Sequence, residues 1–278
     1  ANPGGAPANF LCAAAACGAQ AAMIGKVGSD AFGRMLTETL TERGVNVQGV
    51  TATPEAFTTL AFVTVDKHGD REFSFARKPG ADMTLSVEDL RYSLLRNTRA
   101  FHFGTISMTA EPSRTATRKA VEIARESGAM ITFDPNYRAS LWRDEGEAAE
   151  QMLWGVKNAD IVKISEEEIR LLLNETPEEG ARRLVEKFHV KLALVTLGEK
   201  GVFFASKNAS GLVFAFRDLK PVDATGAGDI FAGSAITKIL QSGKAPEELT
   251  CEELTEICRF ANAAAGISVT RSGGIPSI

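Results

Sequence analysis

From about residue 100 onward the chain alternates short apolar, β-branched runs with longer helical ones, and this alternation limits the possible folds more than any other feature. Strand-like runs at 100–103, 130–133 and 161–164 are followed by helical patterns at 113–127, at 145–157, and at 166–173 with 177–188. Two more strand-like runs, 192–196 and 201–205, precede helical patterns at 228–242 and 251–268. Strands this short and this uniformly apolar are buried on both faces, so the repeated unit predicts a mainly parallel sheet with helices on either side. In such a sheet ligands bind beyond the carboxyl ends of the strands.

The first hundred residues read differently. After Pro3, Gly4 and Gly5 a helix is predicted over about 8–17, ended by Gly18 as a C-cap. A short strand at 21–25 and a helix at 29–43, capped by Ser29 or Asp30 and closed by Gly44, follow. The runs 60–65 and 71–77, the second alternating Phe73 and Phe75 with Glu72 and Ser74, are joined by Asp66-Lys67-His68-Gly69-Asp70 and read as a hairpin. An antiparallel hairpin in a strand–helix chain predicts a small projecting sheet, built from about 57–80, that serves as a lid or as the interface of a homodimer, where Phe62, Phe73 and Phe75 could pair with a second copy. The 278 residues suit one domain over 1–278.

The formal charge is −4, and no Lys/Arg cluster exceeds a pair, which argues against nucleic acid as a partner. The longest apolar stretches, such as 11–16 and 192–197, are too short to span a bilayer, so a cytoplasmic protein without a membrane partner is expected. Cys12, Cys17, Cys251 and Cys258 lack CxxC spacing and clustered histidines and read as buried small hydrophobes. No P-loop, dinucleotide fingerprint, HExxH or GxSxG motif is present.

The run Asp223-Ala224-Thr225-Gly226-Ala227-Gly228-Asp229-Ile230-Phe231-Ala232-Gly233 carries the chemistry. Small residues at the start of a helix leave backbone amides open to an anion, and the helix dipole favours one there. Asp229 in the first turn is either an ordinary N-terminal charge or a general base for an attacking hydroxyl beside a phosphate. Gly4-Gly5 before a helix is either a simple turn or a place of close backbone approach to a ligand. Asp134 to Arg138 is a strand end turning through Pro135, and Arg138 is either a ligand contact or a surface pair. Ser165 with Glu168 forms a capping box, which suffices as a structural reason for both.

Asp223 to Gly233 resembles the carboxyl-terminal signature of the ribokinase, or PfkB, family of sugar kinases, with Ala224 where Thr is commoner. Pro3-Gly4-Gly5-Ala6-Pro7-Ala8-Asn9 and Ile24-Gly25-Lys26-Val27-Gly28-Ser29-Asp30-Ala31-Phe32-Gly33 resemble the amino-terminal signature. Phe101-His102-Phe103-Gly104-Thr105-Ile106-Ser107, the 72–83 stretch with Arg77 and Gly80-Ala81-Asp82, and Phe133-Asp134-Pro135-Asn136-Tyr137-Arg138-Ala139-Ser140-Leu141-Trp142 resemble the fructokinase branch. The resemblance implies a ribokinase-like three-layer α/β/α fold with a β-sheet lid, and transfer of the γ-phosphoryl group of ATP to a primary hydroxyl of a small sugar, fructose first.

By the same resemblance Asp229 is the base and Gly226, Ala227 and Gly228 form the anion hole. Gly4, Gly5, Asn9, Arg77, Arg138 and Asp229 meet the sugar. Thr196, Gly198, Gly201, Gly226, Gly228 and Asn262 meet ATP. Glu168, in the place of the Glu of a family NxxE pattern, holds Mg²⁺ through water, and Asp223, Thr225 and Ser277 surround a monovalent cation such as K⁺. Family members begin with a strand carrying Gly-Glu and then a sugar-binding Asp, so a central strand and one carboxylate are expected ahead of residue 1. The stretch 206–221 reads short for the family. The same residues leave open 2-keto-3-deoxygluconate, ribose or a nucleoside as the acceptor, or a retired kinase that senses a sugar.

Overall fold

A computed structural model describes residues 2–65, 71–216 and 219–278. In chain order the elements are α1 Ala6–Ala16, β1 Ala21–Gly28, α2 Ala31–Glu42, β2 Val45–Thr53, β3 Leu60–Val65, β4 Arg71–Ala76, α3 Tyr92–Arg96 and β5 Ala100–Gly104. There follow α4 Ser113–Glu126, β6 Met130–Asp134, α5 Glu145–Lys157, β7 Ile161–Ser165, α6 Glu166–Leu173, α7 Pro177–Phe188, β8 Leu192–Thr196, β9 Val202–Ser206, β10 Ser210–Val213, α8 Ala227–Ser242 and α9 Cys251–Val269.

The sheet of six strands runs β10-β9-β8-β7-β6-β5. Strands β5 to β8 are parallel, and β9 and β10 return antiparallel. Alternating side chains bury both faces. On one, Phe133, Val162, Ile164 and Val195 pack with Val121 of α4, Val156 of α5, Ile169 of α6 and Leu184 of α7. On the other, Ile161, Leu192, Leu194 and Phe204 pack with Phe10 of α1, Phe231 and Ile236 of α8, and Leu254 and Cys258 of α9. Each such fully buried Leu, Ile or Phe contributes roughly 1.5–3 kcal/mol, so this double burial sets the three-layer order. Lys163 lies on the second face, a cation in an otherwise apolar strand.

Helix starts follow local chemistry. Asp30 caps α2 by accepting from the Gly33 amide (2.8 Å), Asp144 caps α5, and Ser165, Thr176 and Thr250 form capping boxes with Glu168, Glu179 and Glu253. By contrast α1 and α8 start at Gly5 (φ 122°) and Gly226 (φ 80°) with no side-chain cap, which leaves their first amides unclaimed by side chains.

The structure adds strands that the pattern does not foresee. β2, with Asn46, Gln48 and Gly49 interrupting its apolar run, pairs parallel with β1, and β10 pairs with β9 inside 206–221. β3 and β4 form the expected antiparallel pair. The turn 66–70 lies outside the described residues, as does the Phe73 side chain. Among the described residues, β1 pairs only with β2 and β5 only with β6. A continuous cavity of about 1600 Å³ separates those two edges, lined by 21–27 and 99–104, and opens toward the starts of α1 and α8.

Candidate active site

Asp229, in the first turn of α8, is buried and held from two sides. Its Oδ2 accepts from the Asn9 side-chain amide at 2.9 Å and its Oδ1 from the Asn136 amide at 2.8 Å. Asn9 comes from α1. Asn136 follows β6 in a left-handed conformation (φ 48°) that asparagine tolerates better than most residues, and its own amide N–H bonds Asp134 Oδ1 at 3.2 Å. The Asn9 Oδ1 is buried without a partner among the described residues. Gly226 cannot be larger, since a Cβ there would lie 2.9 Å from Asn9 Nδ2. The two uncapped helix starts therefore meet at one carboxylate.

Burial pushes the Asp229 carboxyl up to about 6, and the nearby Asp134 charge adds to the rise, while Asn9, Lys163 and Asn136 work against it. Lys163 Nζ bonds Asp134 Oδ2 at 2.9 Å. Burial disfavours the ammonium, but Asp134, Glu168 and Asp229 together outweigh it and the lysine titrates above its ordinary range. Glu168 accepts the Tyr137 amide at Oε1 (2.7 Å) and the Ser165 amide at Oε2 (2.9 Å). Its carboxyl is raised by burial and by Asp134. The Asp229 carboxyl, raised to about 6 and lining the cavity, is a group that can accept a proton close to neutral pH.

A second group gathers behind the first, around the segment 213–215. Asn262 of α9 donates to the Val213 carbonyl (3.1 Å) and the Phe214 carbonyl (3.3 Å). Gly201 (φ 112°) lies so close to Val213 and Ala215 that no side chain fits. Thr196 Oγ1 donates to the Ile164 carbonyl at 3.4 Å, and Gly198 has φ 58°. Nearby in sequence, Phe214, Phe216 and Val222 are exposed. Asp223 Oδ1 accepts from the Thr225 amide (2.9 Å) and its Oδ2 from the Gly273 amide (2.8 Å), and Ser277 Oγ donates to the Gly274 carbonyl (2.7 Å).

The chain matches the model of the pfkB family carbohydrate kinases over residues 1–278. It belongs to that family. It is 43% identical over 278 residues to fructokinase-1 of Zea mays, covering 99% of this chain and 85% of that protein. It superposes on the fructokinase with bound ATP from Xylella fastidiosa with a TM-score of 0.90 at 33% identity, covering 99% of this chain and 87% of that one. On the Vibrio cholerae fructokinase in its fructose, ADP and calcium ion bound form the TM-score is 0.89 at 32% identity, over 99% and 88%. The ribokinase-like fold expected from the sequence is thus the fold observed.

In this carbohydrate kinase the sequence-derived residues divide. Gly4, Gly5, Asn9, Arg77, Arg138, Asp223, Thr225, Gly226 and Asp229 line the cavity. Ala227 and Gly228 form the start of α8, and Glu168, Thr196, Gly198, Gly201, Asn262 and Ser277 lie away from the cavity lining. Arg77 is buried with its guanidinium directed at protein groups: Asp82 Oδ2 (2.8 Å from Nε), Thr109 Oγ1 (2.7 Å) and the Ile106 carbonyl (2.9 Å). It ties the base of the lid to the end of β5. Asp82 also accepts from Thr59. Arg138 bonds the Tyr137 carbonyl at 2.8 Å. Phe75 lines the cavity, while Phe62, 56% exposed, faces outward.

Asn136 and Lys163, bonded to Asp229 and Asp134, are not among the residues selected from the sequence. Asn136 stood inside a recognised segment, and an asparagine after Asp-Pro, suited to a left-handed turn, was the available signal. Lys163 was detectable as a lone charge in an apolar strand.

Proposed function

We propose that the protein is an ATP-dependent fructokinase that transfers the γ-phosphoryl group of ATP to the primary hydroxyl of fructose, giving fructose 6-phosphate and ADP. The observation that carries this reading is the buried Asp229 carboxylate, clamped by Asn9 and Asn136 in the first turn of a helix with no side-chain cap. Fructose is favoured because the relatives named above are fructokinases, one of them solved with fructose and ADP and another with ATP.

The hydroxyl oxygen attacks the γ-phosphorus as its proton passes to Asp229 and the bond to the ADP oxygen breaks. The amides at 226–229, aimed along the α8 dipole, offset the charge on the transferring group. Gly4, Gly5 and Asn9 meet sugar hydroxyls, with Arg138 beside them. Arg77 positions the lid rather than the phosphate, and the lid, with Phe75 on its inner side, excludes water. Thr196, Gly198, Gly201 and Asn262 shape the nucleotide end.

Glu168 suits Mg²⁺ held through water, because both its oxygens already accept backbone amides and, among the described residues, no cluster of three ligating side chains exists. A divalent ion there would offset phosphate charge. The loop joining Asp223, Thr225, Gly273 and Ser277, where the Asp223 carboxylate ties the Thr225 and Gly273 amides together, is our reading of the site for a monovalent cation such as K⁺. A homodimer through the lid is supported by the exposure of Phe57 and Phe62. No described helix is long and apolar enough to cross a membrane, and with unpaired thiols at Cys12, Cys17, Cys251 and Cys258 a cytoplasmic site is our reading.

The edges of β1 and β5 facing each other across the cavity support one further strand between them in the native sheet, since unpaired edge groups inside a parallel sheet are costly. Slow hydrogen exchange of the amides at 22–27 and 101–103 in the native protein is expected, and fast exchange at both edges would end that idea.

The test of function is ADP release with ATP-Mg²⁺ against fructose, 2-keto-3-deoxygluconate, ribose, glucose and adenosine. Fructose is expected to be turned over efficiently, and Asp229→Asn to lose roughly 10³-fold or more while still binding fructose by calorimetry. Turnover of another member of the panel with fructose inert overturns the substrate. Near-wild-type turnover in Asp229→Asn overturns the base.

A further inference from the structure

Lys163 stands in the middle of β7 between Val162 and Ile164, both fully buried, and its ammonium reaches the far side of the sheet under α8. There it bonds Asp134 Oδ2 at 2.9 Å. It also lies against the second residue of α8: a Cβ added to Gly228 would come within 2.8 Å of Lys163 Nζ. The ammonium therefore fills the space between a carboxylate of β6 and the underside of the anion-binding turn. A lone cation in such a place is costly unless its charge is used.

Among the described residues, the charged or titratable groups around it can be named. Asp134 comes from β6, Glu168 from α6 and Asp229 from α8, and His102 on β5 lies on the same face. Burial pushes His102 down to about 4, so it is neutral near pH 7, stacked on Phe10 at 3.8 Å with Nδ1 beside Thr132 Oγ1 at 3.0 Å. Of the two charged neighbours that act on Asp229, Asp134 opposes its ionisation and Lys163 favours it.

We propose that Lys163 is a positioning residue for phosphoryl transfer: wedged between Asp134 and Gly228, it cancels the Asp134 charge that faces the base and keeps a fixed positive charge beneath the anion-binding turn. Asp134 orients the Asn136 loop, whose side-chain amide grips Asp229, and without a counter-charge that same carboxylate would hold the base protonated. The lysine lets the Asp134 carboxylate stay next to the base without disabling it. Gly228 is then required both for an open amide and because any side chain would displace the ammonium.

This inference rests on Asp229 being the base. The experiment is the pH dependence of kcat/KM for fructose in wild type, Lys163→Met, Asp134→Asn and the double variant, with Asp229→Asn as reference. In Lys163→Met the acid limb is expected to move up by about one pH unit or more, with activity at pH 7 falling about twofold or more and recovering at higher pH. In Asp134→Asn, which carries the test if Lys163→Met does not fold, the limb moves to lower pH. The double variant returns close to the wild-type limb.

A folded Lys163→Met or Asp134→Asn with the limb unmoved overturns the proposal. So does a double variant displaced as far as the lysine variant, and so does a limb that follows the Mg²⁺ concentration, which would belong to Glu168. An inactive Asp229→Asn with unmoved limbs ends this proposal alone. An active Asp229→Asn ends the base assignment itself.

Discussion

The proposed acceptor end and the proposed nucleotide end of this site are built from opposite materials. At the acceptor end, function rests on buried polar side chains gripping one another: Asn9 and Asn136 on Asp229, Lys163 on Asp134, and Glu168 on the Ser165 and Tyr137 amides. At the nucleotide end the backbone does most of the shaping. Gly198 and Gly201 adopt positive φ, Asn262 props the Val213 and Phe214 carbonyls, and the nearby Phe214, Phe216 and Val222 are exposed. A reacting carboxylate must be placed to within a fraction of an ångström, so its surroundings are over-determined. A planar base needs a surface of the right shape.

If the contrast holds, single side-chain changes at the acceptor end cost most. Asn136→Gly keeps the left-handed turn free of strain and removes only the amide that grips Asp229 Oδ1, so it separates the side chain from the backbone. A hydrogen bond to a charged group contributes about 1.5–3 kcal/mol, so kcat is expected to fall about 10- to 100-fold with the KM for ATP little changed. Steady-state kinetics in both substrates checks this, and a matching rise in the KM for ATP would erase the division between the ends.

The acceptor end should also be pH-sensitive. As the proposed base Asp229 works deprotonated, and with its carboxyl raised to about 6 activity is expected above that pH and lost as pH falls through it. Its effect on stability runs the other way. A carboxyl raised in the folded state stabilises the protein below about 4, its unfolded value, and that contribution is lost as pH rises through about 6. At pH 8 the ionised wild type is therefore destabilised by about 3 kcal/mol at most. Asp229→Asn should melt higher than wild type at pH 8 and lose that advantage near pH 4. Parallel melting curves of the two proteins across the range would show that the carboxyl is not strained by burial.

How far the sequence revealed each end follows from the same contrast. The fold was legible because burial on both faces forces apolar runs, and the proposed base and anion loop were legible because Gly226, Gly228 and Asp229 stand together in an eleven-residue stretch that resembles a family signature. Strand β2 was hidden at Gly49, which breaks the alternation of Val45-Asn46-Val47-Gln48 where the pairing with β1 also shifts register. The tie of Arg77 to Asp82, Thr109 and the Ile106 carbonyl was not legible, since an arginine after a strand end carries no sign that these groups await it. Asn136 and Lys163 act on groups 93 and 29 residues away, and no local pattern encodes such pairings.

At the nucleotide end, backbone changes should outweigh side-chain ones. Gly201→Ala must place a Cβ into Val213 and Ala215 and hold alanine at φ 112°. A penalty of about 1–3 kcal/mol is expected, seen as a lower melting temperature, with a raised KM for ATP and an unchanged KM for fructose. A raised fructose KM instead would mean the strain spreads through β8 and β7 to the base.

Asn262→Ala tests the weakest link. It removes two long hydrogen bonds, 3.1 and 3.3 Å, to carbonyls of a segment that Gly201 and strand β10 already hold in place. The net loss should be about 1 kcal/mol, equivalent to a fewfold rise in the KM for ATP, with kcat at saturating ATP unchanged. Should kcat fall tenfold instead, Asn262 would be doing at the nucleotide end what Asn136 does at the other, and side-chain grip would govern both.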